Sequence, residues 1–204
     1  MADIQTDRLL IRSFQPGDLL DIHRILEAAF GTSTHLDAEQ SLRERESWLH
    51  WSILSQEWLP KLHQPPYGDR AVVLRSTDTV IGAVGYVPLL GPFGQIPDLN
   101  SAGAPPGRYT AEVGLYWVID PAHQKRGFAS EAARALVDQA FAEMRLKRIL
   151  ATTEYTNAAS QAVMRRLGMH IASNPLPEPV WLQIVGILEN PVGSAAGFSA
   201  RLLD

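Results

Sequence analysis

The spacing of apolar positions changes several times along the chain, and the changes mark an alternation of strands and helices. Residues 8–12, Arg-Leu-Leu-Ile-Arg, read as a first strand. Pro16 then opens a helix in which Leu19, Leu20, Ile22, Ile25, Leu26 and Phe30 recur at helical spacing up to Gly31. A longer helix is expected from about Asp37 to Trp58, stopped by Pro60; at 1.5 Å per residue it would run roughly 33 Å. Two β-rich runs, 70–75 and 80–87, flank the polar Ser76-Thr77-Asp78-Thr79 and predict a hairpin. Residues 88–107 are rich in Pro and Gly, lack periodicity, and are expected to form a long loop, either a binding loop or disordered.

A strand over 111–119 and a helix over 129–144 follow, the helix burying Ala133, Leu136, Val137, Ala140, Phe141 and Met144. Next come a strand over 148–153, then a short helix over 157–167 with Asn157 as N-cap and Gly168 past its end. A nearly all-apolar strand over 180–188 reads as central. The order predicts an α/β fold of mixed α+β type: a single domain over residues 1–204, with helices on both faces of a twisted mixed sheet of about six or seven strands.

The 204 residues are 46% apolar and 20% charged, ordinary for a soluble globular domain. With 18 basic and 22 acidic side chains the net charge is -4, which argues against a nucleic-acid partner. The chain has no cysteine, which excludes disulfides, thiolate metal sites and cysteine nucleophiles. His23, His35, His50, His63, His123 and His170 show no paired ligand spacing, so no metal is expected. No apolar run approaches a membrane span and the first residues are polar, so no membrane partner and a cytoplasmic location are expected.

The most informative segment is 118–131, Val-Ile-Asp-Pro-Ala-His-Gln-Lys-Arg-Gly-Phe-Ala-Ser-Glu. An apolar strand ends in a turn, and a Gln-x-x-Gly-x-Ala loop opens a helix. Unpaired N–H groups and the dipole at a helix start make a seat for phosphate. Gly127 permits close approach, Ala129 keeps the surface low, and Lys125 and Arg126 add positive charge at the mouth. Gln124, Lys125, Arg126, Gly127, Phe128 and Ala129 are therefore the candidate phosphate-binding residues. A Walker Lys-Ser/Thr and a three-glycine dinucleotide fingerprint are both absent, which disfavours a nucleotide-binding protein of either kind.

The strand, this loop, its helix, the next strand and then Asn157-Ala158-Ala159-Ser160-Gln161-Ala162-Val163-Met164-Arg165-Arg166-Leu167-Gly168-Met169 stand in the order of the GCN5-related N-acetyltransferase (GNAT) superfamily. Residues 6–12, Thr-Asp-Arg-Leu-Leu-Ile-Arg, resemble the opening of its subfamily that acetylates ribosomal-protein N-termini. The resemblance implies two central strands that splay apart around acetyl-CoA as co-substrate, and a primary-amine acceptor that attacks the thioester directly. It places the pantetheine arm on the backbone of Trp117, Val118 and Ile119, with the oxyanion held by an N–H near Val118. Asn157 would cap its helix, bond the pantetheine, or both. Relatives in the ribosomal subfamily imply Glu112 as general base; the alternative is a surface carboxylate at a strand start. Many members carry a Tyr acid seven residues after the Asn, but here that residue is Met164. The ribosomal type uses a Ser three residues after the Asn, which is Ser160, with Tyr155 in reserve. A non-catalytic acyl-CoA-binding protein on the same fold is the alternative that the missing Tyr leaves open. Trp48, Trp51 and Trp58 either line an acceptor pocket or pack in the core. The resemblance admits a monomer or a homodimer.

Overall fold

The computed structural model describes residues 1–31, 37–100 and 107–191. Eight strands form one mixed sheet in the order β1-β2-β3-β4-β5-β6-β8-β7. The strands are β1 (Ile4–Gln5), β2 (Leu9–Arg12), β3 (Gly68–Leu74), β4 (Thr79–Gly91), β5 (Thr110–Ile119), β6 (Arg148–Thr153), β7 (His170–Ser173) and β8 (Ile184–Glu189). The expected count was six or seven; the additions are the two-residue β1 and the four-residue β7, both at sheet edges and too short for an alternation to register. β8 lies between β6 and β7 and is buried on both faces over 184–187, as its unbroken apolar run requires.

The hairpin of β3 and β4 is present, with a register irregularity between Val72 and Val73. β4 runs on through Pro88 to Gly91, which corrects the reading of 88–107 as loop from its start. Leu89, Leu90 and Gly91 pair with Glu112, Ala111 and Thr110. A proline is tolerated there because β3 begins opposite Tyr86, so Pro88 faces no partner on that side. Two 3-10 turns, Phe93–Gln95 and Pro97–Leu99, follow; the rest of the proposed loop lies mostly at 101–106, outside the described residues.

Four helices cover the sheet. α1 (Leu19–Phe30) and α2 (Ala38–Lys61) pack on one face, and α3 (Phe128–Ala142) and α4 (Ala158–Leu167) on the other. Asp37 caps α2 by accepting from the Gln40 N–H, and the helix passes Pro60 by one residue rather than stopping before it. The ring sits in the last turn, where losing one hydrogen bond is least costly. The tryptophans of α2 divide. Trp48 packs edge-on against Phe14 at 5.5 Å, whereas Trp51 and Trp58 are 58% and 51% exposed.

Three buried clusters result. One, containing Ile11, Tyr86, Leu136 and Met164, lies under α3 and α4. A second, containing Ile22, Ile25, Leu49 and Val118, lies under α1 and α2. The third, containing Phe93, Ile96, Leu150 and Val185, lies beneath the 93–99 turns. Within the second face Asp69, Gly85 and Tyr116 form one row across β3, β4 and β5. A Cβ on Gly85 would strike the Gly68 carbonyl and lie 2.8 Å from Asp69 Oδ1. Because one of those obstacles is backbone, Gly85→Ala should lower unfolding free energy by about 1–3 kcal/mol in urea titration, with an unchanged m-value.

Candidate active site

The site begins where the sheet divides. Among the described residues β5 and β6 are its only parallel neighbours, and they pair at a single position, Gly114 with Leu150. β5 stays zipped to β4 over its full length, and β6 pairs with β8 at six positions. Each half of the sheet is therefore secure while the seam between them is open. Residues 115–119 present a free edge that, at about 3.3 Å per residue, extends roughly 17 Å from the vertex. The sequence-predicted Trp117, Val118 and Ile119 all lie on it. Parallel strands followed by helices on the same face bring the starts of α3 and α4 to the mouth of this opening.

Those two helix starts differ. Asn157 caps α4 through its side chain, which accepts from the Ser160 N–H at 3.0 Å. α3 begins at Gly127, with φ 85° and ψ 0°, and has no side-chain cap. Lys125 also has positive φ, 60°. Two left-handed residues two positions apart, ahead of an uncapped helix, direct successive N–H groups outward into an anion-binding concavity. Lys125 and Arg126 are exposed beside it. Of the predicted loop residues, Phe128 contributes only its backbone, because its ring is 2% exposed and packs in the core. The Gln124 side chain donates to the Ile119 carbonyl at 2.9 Å and so ties the loop to the strand before it.

The loop is held from two sides. Arg8 donates through Nε to Glu131 at 2.7 Å and through Nη1 to the Arg126 carbonyl at 3.0 Å, and stacks 4.5 Å from the Phe128 ring centre. Thr6 Oγ1 donates to Glu131 at 2.5 Å. Burial alone would raise the Glu131 carboxyl, but the hydrogen bonds from Thr6 and Arg8 outweigh it and hold the group below its ordinary value. On the other side Asp120, 3% exposed, bonds Arg24 of α1 at 2.7 Å and accepts from the Ala122 N–H at 3.0 Å. Its pKa is lowered, chiefly by the Arg24 hydrogen bond. Sequence reasoning missed both anchors. The signal for the first was the Thr6-x-Arg8 pair together with an acid in the first turn of α3.

The predicted catalytic residues sit apart. Ser160, half-buried in the first turn of α4, has a hydroxyl without a hydrogen bond among the described residues. Glu112 lies two residues before the vertex, on the closed side. Cross-strand from it Arg148 grips both carboxylate oxygens, one through Nε at 2.9 Å, and that carboxylate raises the guanidinium pKa. Tyr155 donates its hydroxyl to the Asn174 carbonyl at 2.5 Å. Met164 is fully buried against Gly186, so the position of the commonest acid belongs to the core. Sequence reasoning also overlooked Asp69. It is half-buried, forms no hydrogen bond or ion pair among the described residues, and its pKa is raised by burial to about 6. No group of acids or histidines able to hold a metal occurs among the described residues, and none of their helices is long and apolar enough to cross a membrane.

A half-split sheet with an uncapped helix start at its mouth is the framework of an acyltransferase of the open-sheet kind. Residues 8–170 match the Acetyltransferase (GNAT) domain, and the chain belongs to that family, whose general activity is acetyl transfer. It is 29% identical over 170 residues to the uncharacterized N-acetyltransferase YnaD of Bacillus subtilis (strain 168), covering 81% of both chains. An acetyltransferase from Agrobacterium tumefaciens str. C58 superposes with TM-score 0.65 at 19% identity, over 93% of this chain and 95% of that one. RimL, the ribosomal L7/L12 alpha-N-protein acetyltransferase, solved in complex with coenzyme A, superposes with TM-score 0.60 at 15% identity, over 91% and 96%. At these identities the solved structures establish a shared fold.

The carboxyls make opposite contributions to acid stability. Glu131, lowered by its partners, stabilises the fold above its unfolded pKa, near 4.3, and the stabilisation fades as pH falls through the lower folded value. Glu131→Gln should therefore cost about 1 kcal/mol at pH 7 and progressively less below pH ~4. Asp69, raised to about 6, destabilises the fold as pH rises from its unfolded value through about 6. Asp69→Asn should match the wild type near pH 4 and exceed it by on the order of 2 kcal/mol at pH 7, read by denaturant unfolding across that range.

Proposed function

We propose that this protein is an acetyl-CoA-dependent N-acetyltransferase that moves an acetyl group to a primary amine by direct attack on the thioester. The observation that carries this reading is the single-pair opening between β5 and β6, leading from the Gly114–Leu150 vertex to the uncapped start of α3. Acetyl-CoA fits it end to end. The pyrophosphate meets the N–H groups of residues 125–129, with the Lys125 and Arg126 side chains alongside, since the Gln124 N–H is spent on the Pro121 carbonyl. The pantetheine amides continue the sheet along residues 115–119 as an added strand, and the thioester arrives beside the vertex. Asn157, spent on its own helix, leaves the phosphate to α3 and keeps only a flanking role.

The attacking nitrogen forms the new C–N bond as the carbonyl electrons move to oxygen, where an N–H of the free β5 edge stabilises the charge. The C–S bond then breaks, and the thiolate departs on the α4 side, where the unengaged Ser160 hydroxyl stands ready to donate. Glu112 acts as base only if its carboxylate is released from Arg148. RimL acts on a protein α-amine, and a peptide N-terminus is accordingly the first acceptor to try. The second reading, a non-catalytic acyl-CoA binder, draws on Met164 being sealed in the core.

Release of CoA thiol with a panel of amines separates the two: turnover supports the transferase, and binding without turnover supports the binder. Gly127→Ala places a Cβ at φ +85° and 3.4 Å from Arg8 Nη2. The strain, about 1 kcal/mol, should weaken acetyl-CoA binding roughly five- to tenfold by calorimetry.

A further inference from the structure

One group of polar side chains lies outside everything assigned so far. On the face of the sheet under α1 and α2, Asp69 leans over Gly85 toward Tyr116, so near that a Cβ on Gly85 would lie 2.8 Å from its Oδ1. Two strand spacings separate β3 from β5, about 10 Å, and the Asp69 carboxylate reaches into the place a Gly85 side chain would take. Tyr116 itself stands two residues from the vertex, on the free-edge side. Its hydroxyl has no hydrogen bond among the described residues, and burial first, then the Asp69 charge, raises its pKa, so it stays protonated.

The roof is α2. Arg45, Ser52 and Gln56 fall seven and four residues apart, on one helical face. Arg45 Nε, Ser52 Oγ and Gln56 Oε1 are buried without a hydrogen-bond partner among the described residues. Gln56 Nε2 comes within 3.5 Å of the Tyr67 carbonyl, which places it over the start of β3. Arg45 is close enough to Tyr116 to offset part of its raised pKa. Native cores leave few such atoms orphaned, so three on one face of α2, one of them over the start of β3, call for a polar partner.

We propose that Asp69 is the proton acceptor for the incoming amine, with Tyr116 beside it, and that Arg45, Ser52 and Gln56 line the space through which the amine reaches the thioester. The inference rests on the transferase reading above and names the acceptor side of that same site. As the nitrogen lone pair bonds to the carbonyl carbon, the N–H becomes acidic and its proton passes to the Asp69 carboxylate through water beside Tyr116. Collapse returns the oxygen electrons to the carbonyl, the C–S bond breaks, and the thiolate leaves with its electron pair and takes a proton from Ser160 or solvent. Asp69 then releases its proton to solvent. The charged and titratable groups around Asp69 are Tyr116 from β5 and, beyond it, Arg45 from α2; β4 contributes Gly85, and Arg70, next along β3, turns to the opposite face and bonds Asp3. With no cation paired to it, Asp69 ionises near pH 6 and is a competent base at neutrality.

The test is the pH profile of kcat/KM between pH 5 and 9, for the full chain with acetyl-CoA and a panel of alanyl and seryl peptides, lysine, spermidine and kanamycin. With a peptide acceptor, whose α-amine titrates at about 8, log kcat/KM should rise with slope one between pH ~6 and ~8, level off above that, and steepen below pH ~6. Asp69→Asn should lower kcat on the order of 10²-fold at unchanged KM for acetyl-CoA and remove the steepening. Asp69→Glu should restore part of both, and Gln56→Ala should raise KM for the amine alone. A thermal melt of Asp69→Asn at least as high as wild type excludes unfolding as the cause. Turnover by the wild type with an unaltered Asp69→Asn profile, or steepening that vanishes in Glu112→Gln instead, overturns the assignment of Asp69 and spares the transferase. No turnover by the wild type with any amine overturns both.

Discussion

The fold turns on a constraint at one point: β5 and β6 meet only where Gly114 faces Leu150. Parallel strands normally repeat such contacts along their length. Here β5 commits its other edge to β4 and β6 commits its other edge to β8, so neither needs the seam for its own stability. Gly114 suits that position because the Leu89 side chain fills the place a Cβ would take. Immediately behind the vertex, Glu112 and Arg148 fasten the two strands by a bidentate pair, the geometry in which such a bond is strongest. Closed on one side of a single contact and open on the other, the sheet has a built-in cleft without a cavity having to be carved from the core.

The loop at the mouth shows how a polar device is kept in shape. Its left-handed residues at Lys125 and Gly127 would relax if the flanks were free. Arg8 and Glu131 hold one flank, Asp120 and Arg24 the other, and the Gln124 amide closes the turn on Ile119. Most of these bonds run from a charged group to backbone or to an opposite charge that is largely buried, where each is stronger than a surface ion pair.

Much of this was legible in the chain. Residues 118–131 declare strand, turn and helix start because Gly127 and the apolar run before it are local signals. The bounds of β6 follow from its own apolar content for the same reason. What could not be read was register and pairing. Nothing in Glu112 or Arg148 alone says that they stand side by side; that depends on which residue of β5 meets Leu150. Asp69 was invisible on the same grounds. A lone acid at a strand start looks solvated until Gly85 and Tyr116 are known to lie in its row. Trp51 and Trp58 misled in the opposite sense, because α2 buries a stripe of serines and turns those rings outward.

Asn157 occupies the start of its own helix with its own side chain, and this makes two otherwise equivalent anion seats unequal. With acetyl-CoA bound as proposed, the cofactor can enter in one sense only, nucleotide toward α3 and acyl carbon toward Gly114. A fixed heading also fixes which face of the planar thioester is shown to α2. Under that proposal, selection of the nucleophile falls to the elements on the α2 side, away from the nucleotide.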